Sequence, residues 1–93
     1  SRNRVVQIST ISVGTLTSSL VHPREVFKDA ITHSAASVIL AHNHPSGDPE
    51  PSEDDLKITK KLVESGKILG IEVIDHIIVG KNNFYSFREK GLI

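Results

Sequence analysis

The apolar residues of this chain follow two rhythms, and the switches between them mark out its elements. Over residues 4–14, Val6 and Ile8 alternate with polar neighbours, and the phase slips before Ile11 and Val13. That pattern predicts a strand with a bulge near Ser9. Gly14-Thr15 breaks it, and residues 16–21 read as a loop with some extended character. His22-Pro23 opens a helix, because proline is favoured at the first helical position, where its missing N–H costs nothing. Val26, Phe27, Ala30 and Ile31 give that helix an apolar face, and it should fade near His33-Ser34. Residues 37–42 are a short, almost continuous apolar run, the pattern of a strand buried on both faces and central in its sheet.

A second helix is predicted from Ser52 to about Leu69. Ser52 stands at the N-cap position, with Glu53, Asp54 and Asp55 in the first turn. Leu56, Thr59, Leu62, Val63 and Gly66 line one face, Lys57, Lys60, Lys61 and Glu64 take the other, and Gly70 ends the helix. Residues 71–79 predict a strand with Ile71, Val73, Ile77 and Val79 on one face. A turn over 80–83 leads to a short return strand over 84–87. This order makes one α/β layered domain with a mixed sheet, spanning residues 1–93.

Composition narrows the function classes. With 93 residues the chain holds one domain at most. No apolar run approaches the roughly 20 residues a membrane helix needs. The absence of cysteine removes disulfides and thiolate metal sites, and fits a cytoplasmic protein. Basic and acidic residues number 11 each, and aromatics are 4%. Direct nucleic-acid binding usually needs a basic excess and stacking rings, so this segment is not expected to bind nucleic acid. The chain contains no Met, so it reads as a piece of a longer protein. An edge strand near Phe84 could pair with another copy, giving a homo-oligomer.

The candidate chemistry lies between the apolar run and the second helix. Side chains two apart in a strand share a face, so His42 and His44 would project together from the strand's carboxyl end. In open α/β sheets that end is the usual site of chemistry. Three prolines and a glycine stiffen the loop between His44 and Ser52. Ser52 and Asp55 share a helix face, which could fold back to present a carboxylate to the imidazoles. Two nitrogens, one oxygen and a fourth position left to water is the donor set of a catalytic zinc site. Plainer readings stand beside this one. Histidines at this spacing arise by chance, and Ser52 with Asp55 is also a capping box. Asp75-His76 could be a carboxylate orienting an imidazole near the metal, or a polar pair where a strand passes a sheet edge, and the second is preferred. His22, His33 and Arg24 read as surface residues, while Asn43 and Ser46 could order the loop.

The full spacing, His-x-His, seven residues, Ser, two residues, Asp, is that of the JAMM (JAB, MPN+) metalloprotease motif. The words His42-Asn43-His44-Pro45-Ser46-Gly47-Asp48-Pro49, Pro51-Ser52 and Asp75-His76-Ile77-Ile78-Val79-Gly80 resemble the bacterial RadC family. Val21-His22-Pro23-Arg24-Glu25-Val26-Phe27 and the ending Glu89-Lys90-Gly91-Leu92-Ile93 resemble it too. The resemblance implies an α-β-α sandwich with a mixed sheet, the JAB/MPN (cytidine-deaminase-like) architecture. It implies Zn2+ held by His42, His44 and Asp55, and Ser52 as the catalytic residue that stabilises an oxyanion. The implied activity is that of a zinc-dependent metallopeptidase acting on a peptide or isopeptide-like substrate. The general base of such enzymes is a glutamate on a strand preceding the segment where this sequence begins. The first glutamate here is Glu25, which the helix dipole explains, so the segment is expected to lack its first strand and that base. The alternative is a non-catalytic metal-binding interaction module or DNA-repair accessory domain, since the family name carries a link to DNA repair. Contiguous His42-Asn43-His44 is not the dispersed motif of the HNH nucleases.

Overall fold

The computed structural model describes Val5, Gln7, Ile8 and residues 21–93, so the strand and bulge expected over 4–14 lie largely outside the described residues. The described elements are α1 (Pro23–Thr32), β1 (Ser37–Asn43), α2 (Glu53–Leu69), β2 (Glu72–Val79) and β3 (Phe84–Ser86). The sheet order is β1-β2-β3, with β1 parallel to β2 and β2 antiparallel to β3. Among the described residues this is a compact α/β domain with a mixed sheet. No helix among them is long and apolar enough to cross a membrane.

Both helices pack on one face of the sheet. Val26, Phe27 and Ala30 of α1 join Ile58 and Leu62 of α2 and Val73 of β2 in one core, with Val38 and Leu40 of β1 packed against it. A second helical layer is not among the described elements. The opposite face carries Ile39, 62% exposed, and Val79. Among the described residues β1 is neither buried on both faces nor central: β2 is the middle of the three described strands, and β1 alternates between half-buried and exposed positions. An apolar run made of small and β-branched residues satisfies strand propensity without requiring two covered faces.

Each helix buries most of its expected face, and one expected residue in each is turned outward. In α1 the buried residues are Val26, Phe27 and Ala30, while Ile31 is 57% exposed. In α2 they are Asp55, Ile58, Thr59, Leu62 and Gly66, and Leu56 faces outward. Thr59, Leu62 and Gly66 are buried as expected and Val63 packs against the core, so the difference is at the edge of the stripe, where Asp55 and Ile58 are inside. Gly66 allows that stripe to approach the strand that follows. A Cβ there would lie 2.3 Å from the Ile71 carbonyl oxygen. Gly70 ends the helix in the left-handed conformation, φ 73°.

β2 breaks its own alternation. Val38 pairs with Val73, but Ile39 pairs with Asp75, so Ile74 is an extra residue. Beyond that bulge the faces exchange. His76 and Ile78 turn to the helix-covered side, beside Leu40 and His42, in place of the expected Ile77 and Val79. Asp75 turns to the other side. There it accepts from the His76 amide (2.7 Å), the Ser86 hydroxyl (2.6 Å) and the Arg88 amide (3.0 Å). It anchors the turn after β3.

Candidate metal centre

The site forms where β1 ends against the start of α2. Extended pairing continues one residue past β1, since the His44 amide donates to the Val79 carbonyl at 3.2 Å. His42 and His44 consequently project to the same side, with ring centroids 5.0 Å apart. The proline loop then turns back. The Gly47 amide donates to the His44 carbonyl, and the Lys81 amide to the Gly47 carbonyl at 2.8 Å. Gly80 permits this contact, because a Cβ there would stand 2.6 Å from the Gly47 carbonyl oxygen. Ser46 and Asp48 order the loop by accepting from the amides of Asp48 and Glu50.

The loop delivers α2 with its first turn over the strand end. Ser52 and Asp55 form the full capping box: Ser52 Oγ accepts from the Asp55 amide at 3.1 Å, and Asp55 Oδ2 accepts from the Ser52 amide at 2.8 Å. The same carboxylate, 1% exposed, meets both imidazoles. His44 Nε2 lies 3.0 Å from Oδ2 and His42 Nε2 lies 3.3 Å from Oδ1. Donor atoms of these three residues fall within 4.8 Å of one another, and theirs is the one such cluster among the described residues. Ser52 stands exposed beside it. Capping and clustering are thus both true of Asp55.

Three observations show that the residues fit a metal cation. His44 Nδ1 lies 2.8 Å from the Asp48 carbonyl oxygen, which can only accept. The proton of a neutral His44 ring is therefore on Nδ1, and its Nε2 lone pair faces a carboxylate oxygen. His42 Nε2 and Asp55 Oδ1 are both buried without a hydrogen-bond partner, although they face each other. A tetrahedral ion with bonds of about 2.0–2.1 Å holds its ligand atoms about 3.3 Å apart, close to the 3.3 and 3.0 Å from the carboxylate oxygens to His42 Nε2 and His44 Nε2.

The charges agree with that fit. Burial would raise the Asp55 carboxyl, but the Ser52 amide and side chain, with His42 and His44, hold it below the usual carboxylate range. Burial pushes His42 down, against the pull of Asp55. His76, 2% exposed, is pushed down to about 4 by burial and by the neighbouring His42. A buried carboxylate held ionised beside an imidazole whose charged form is disfavoured is the electrostatic setting of a cation site.

Two residues behind the cluster escaped sequence reasoning in this form. His42 Nδ1 lies 2.9 Å from His76 Nε2, and His76 Nδ1 lies 2.6 Å from Thr59 Oγ1. Phe87 stacks on the His76 ring, 4.8 Å between centroids and 10° between planes. His76 is therefore not half of a polar pair at a sheet edge, and Asp75 does not orient its ring. The helical spacing of Asp55 and Thr59 was a readable signal, but the bulge that turns His76 inward was not. The structure does not bring Glu25, His22 or His33 into the cluster.

An α/β domain that gathers two imidazoles and one carboxylate at the carboxyl end of a parallel strand defines a protein with a metal-capable centre. The chain belongs to the family described as the RadC-like JAB domain, whose model matches residues 1–92. UPF0758 protein STH371 of Symbiobacterium thermophilum is 60% identical over 92 residues, covering 99% of this chain and 39% of that protein. A UPF0758 protein of Desulforamulus reducens is 62% identical, with 99% and 40% covered. UPF0758 protein BCAH187_A4587 of Bacillus cereus is 59% identical, with 99% and 41% covered. The chain spans about two fifths of the length of these curated relatives.

Proposed function

We propose that this domain is the metal-binding part of a zinc-dependent hydrolase of the JAMM type, acting on a peptide or isopeptide-like amide. The observation that supports it most directly is the pair of buried atoms without hydrogen-bond partners, His42 Nε2 and Asp55 Oδ1, beside His44 Nε2. In this reading His42, His44 and Asp55 hold the ion. A bound zinc ion would supply Lewis-acid polarisation of the scissile carbonyl and a water acidic enough to ionise near pH 7. Ser52 is assigned to the oxyanion. Its Oγ accepts from the Asp55 amide, which leaves its own proton free to donate outward from an exposed position. The Asp48 carbonyl orients His44 through Nδ1.

The general base is not assigned to this segment. The sequence holds no acidic residue before Glu25, and Glu25 lies in the first turn of α1, outside the cluster. The reading places the base in the part of the protein beyond these 93 residues. The same observation favours a second reading, a metal-binding interaction module or DNA-repair accessory domain without catalysis.

Zinc per chain on the full-length protein separates these from no metal function at all. About one zinc is expected for the wild type and little for a His44→Ala, Asp55→Ala double variant. Equal metal content in the two proteins would defeat both readings. With zinc established, cleavage of peptide and isopeptide substrates by the wild type and not by Ser52→Ala favours the hydrolase. Binding without cleavage favours the module.

A further inference from the structure

Resting on the proposed metal centre, we infer that Thr59 and His76 are positioning residues that lock His42 into the tautomer able to bind a metal. One line of contacts fixes where each proton sits. Thr59 Oγ1 lies 2.6 Å from the Asp55 carbonyl oxygen and 2.6 Å from His76 Nδ1. A carbonyl oxygen only accepts, and a hydroxyl has one proton. Thr59 therefore gives its proton to the Asp55 carbonyl and accepts from His76 Nδ1–H. A neutral His76 then has a lone pair on Nε2, which accepts from His42 Nδ1–H across 2.9 Å. His42 is left with its lone pair on Nε2, the atom that faces Asp55 Oδ1 without a hydrogen bond.

The opposite polarity fits the contacts worse. It would turn the Thr59 proton toward His76 and leave two oxygens with no proton between them at 2.6 Å. It would also put a proton on His42 Nε2, where a cation is to bind. The line is held rigid: Thr59 is 2% exposed on α2, His76 is 2% exposed on β2, and Phe87 stacks on the His76 ring. The line starts at the carbonyl of Asp55, whose carboxylate ends it. One residue of α2 thus supplies a ligand and, through Thr59 and His76, sets the proton of another. His44 gets the same tautomer more simply, from a loop carbonyl.

The test uses the full-length protein with 15N-labelled histidine, with His42 and His76 assigned by substitution, and compares wild type, Thr59→Val and Thr59→Ser. Valine keeps the shape and removes the acceptor, while serine keeps the hydroxyl. Without metal, wild type and Thr59→Ser should show His42 with a protonated Nδ1 and a bare Nε2. Thr59→Val should show the proton shifted wholly or partly to Nε2. By chelator competition, zinc should bind Thr59→Val 10–100-fold more weakly than wild type, with serine restoring most of the loss. A His42 tautomer that does not respond to valine overturns the inference, as does a wild-type His42 protonated on Nε2. Failure of the wild type to bind zinc would defeat the metal reading instead, and the relay would then stand or fall on the metal-free tautomers.

Discussion

Asp75 and His76 are adjacent in the chain and belong to different machinery. His76 faces the candidate centre, whereas Asp75 accepts from the His76 amide beside it and ties β2 to the end of β3 and the turn beyond by accepting from Ser86 and the Arg88 amide. Burial acts to raise its carboxyl, but Ser86 and the amides of Arg88 and His76 outweigh it and hold the carboxyl below its ordinary value. Asp75 therefore titrates lower folded than unfolded. Its contribution is complete above the ordinary aspartate pKa of about 3.9 and is lost as pH falls through the lower folded value. Asp75→Asn is expected to destabilise the protein by about 2 kcal/mol at pH 7, with the gap to wild type closing below about pH 4. Urea unfolding across that range checks it, and a gap that is constant with pH would mean the charge is irrelevant.

The elements were legible wherever one rule acted alone, and obscured where two rules met. The Pro23 start of α1, the Ser52 cap and the Gly70 stop follow from backbone chemistry and appear as read. The inner face of α2 was legible at Thr59, Leu62, Val63 and Gly66 and missed only at its edge, where Ile58 is inside and Leu56 is outside. The far half of β2 was misjudged because Ile74 adds one residue to the register, and Ile, Ile, Val at 77–79 gives alternation no preferred phase. Gly66 shows the same contest in energy. Glycine to alanine inside a helix usually gains up to about 1 kcal/mol. Here the new methyl would meet the Ile71 carbonyl at 2.3 Å, and a backbone oxygen cannot rotate away. Gly66→Ala is expected to be net destabilising, by about 1–3 kcal/mol, in denaturant titrations. A stabilised variant would show that the α2–β2 connection yields easily.

At the scale of the molecule, the candidate centre joins β1, the proline loop and α2, so occupancy should be felt as stability. A cation that binds only the native chain adds about 2.7 kcal/mol at a hundred times its dissociation constant. Zinc should therefore raise the melting temperature of the full-length protein by several degrees, and a chelator should reverse it. The Asp55→Ala variant should not respond. A shift of equal size in that variant would place the bound zinc elsewhere.

The extra residue at Ile74 works like a parity bit. Every position after it in β2 is read odd for even, so a ladder that paired Ile74 instead of bulging it would trade the contents of the two sides of the sheet beyond that point. The same residues in plain alternation, with Ile74 paired in register, would send Asp75 and Ile77 inward and carry His76 out to water. What stands behind His42 is thus decided by a count, two positions upstream, and not by the affinity of any side chain for the place it fills.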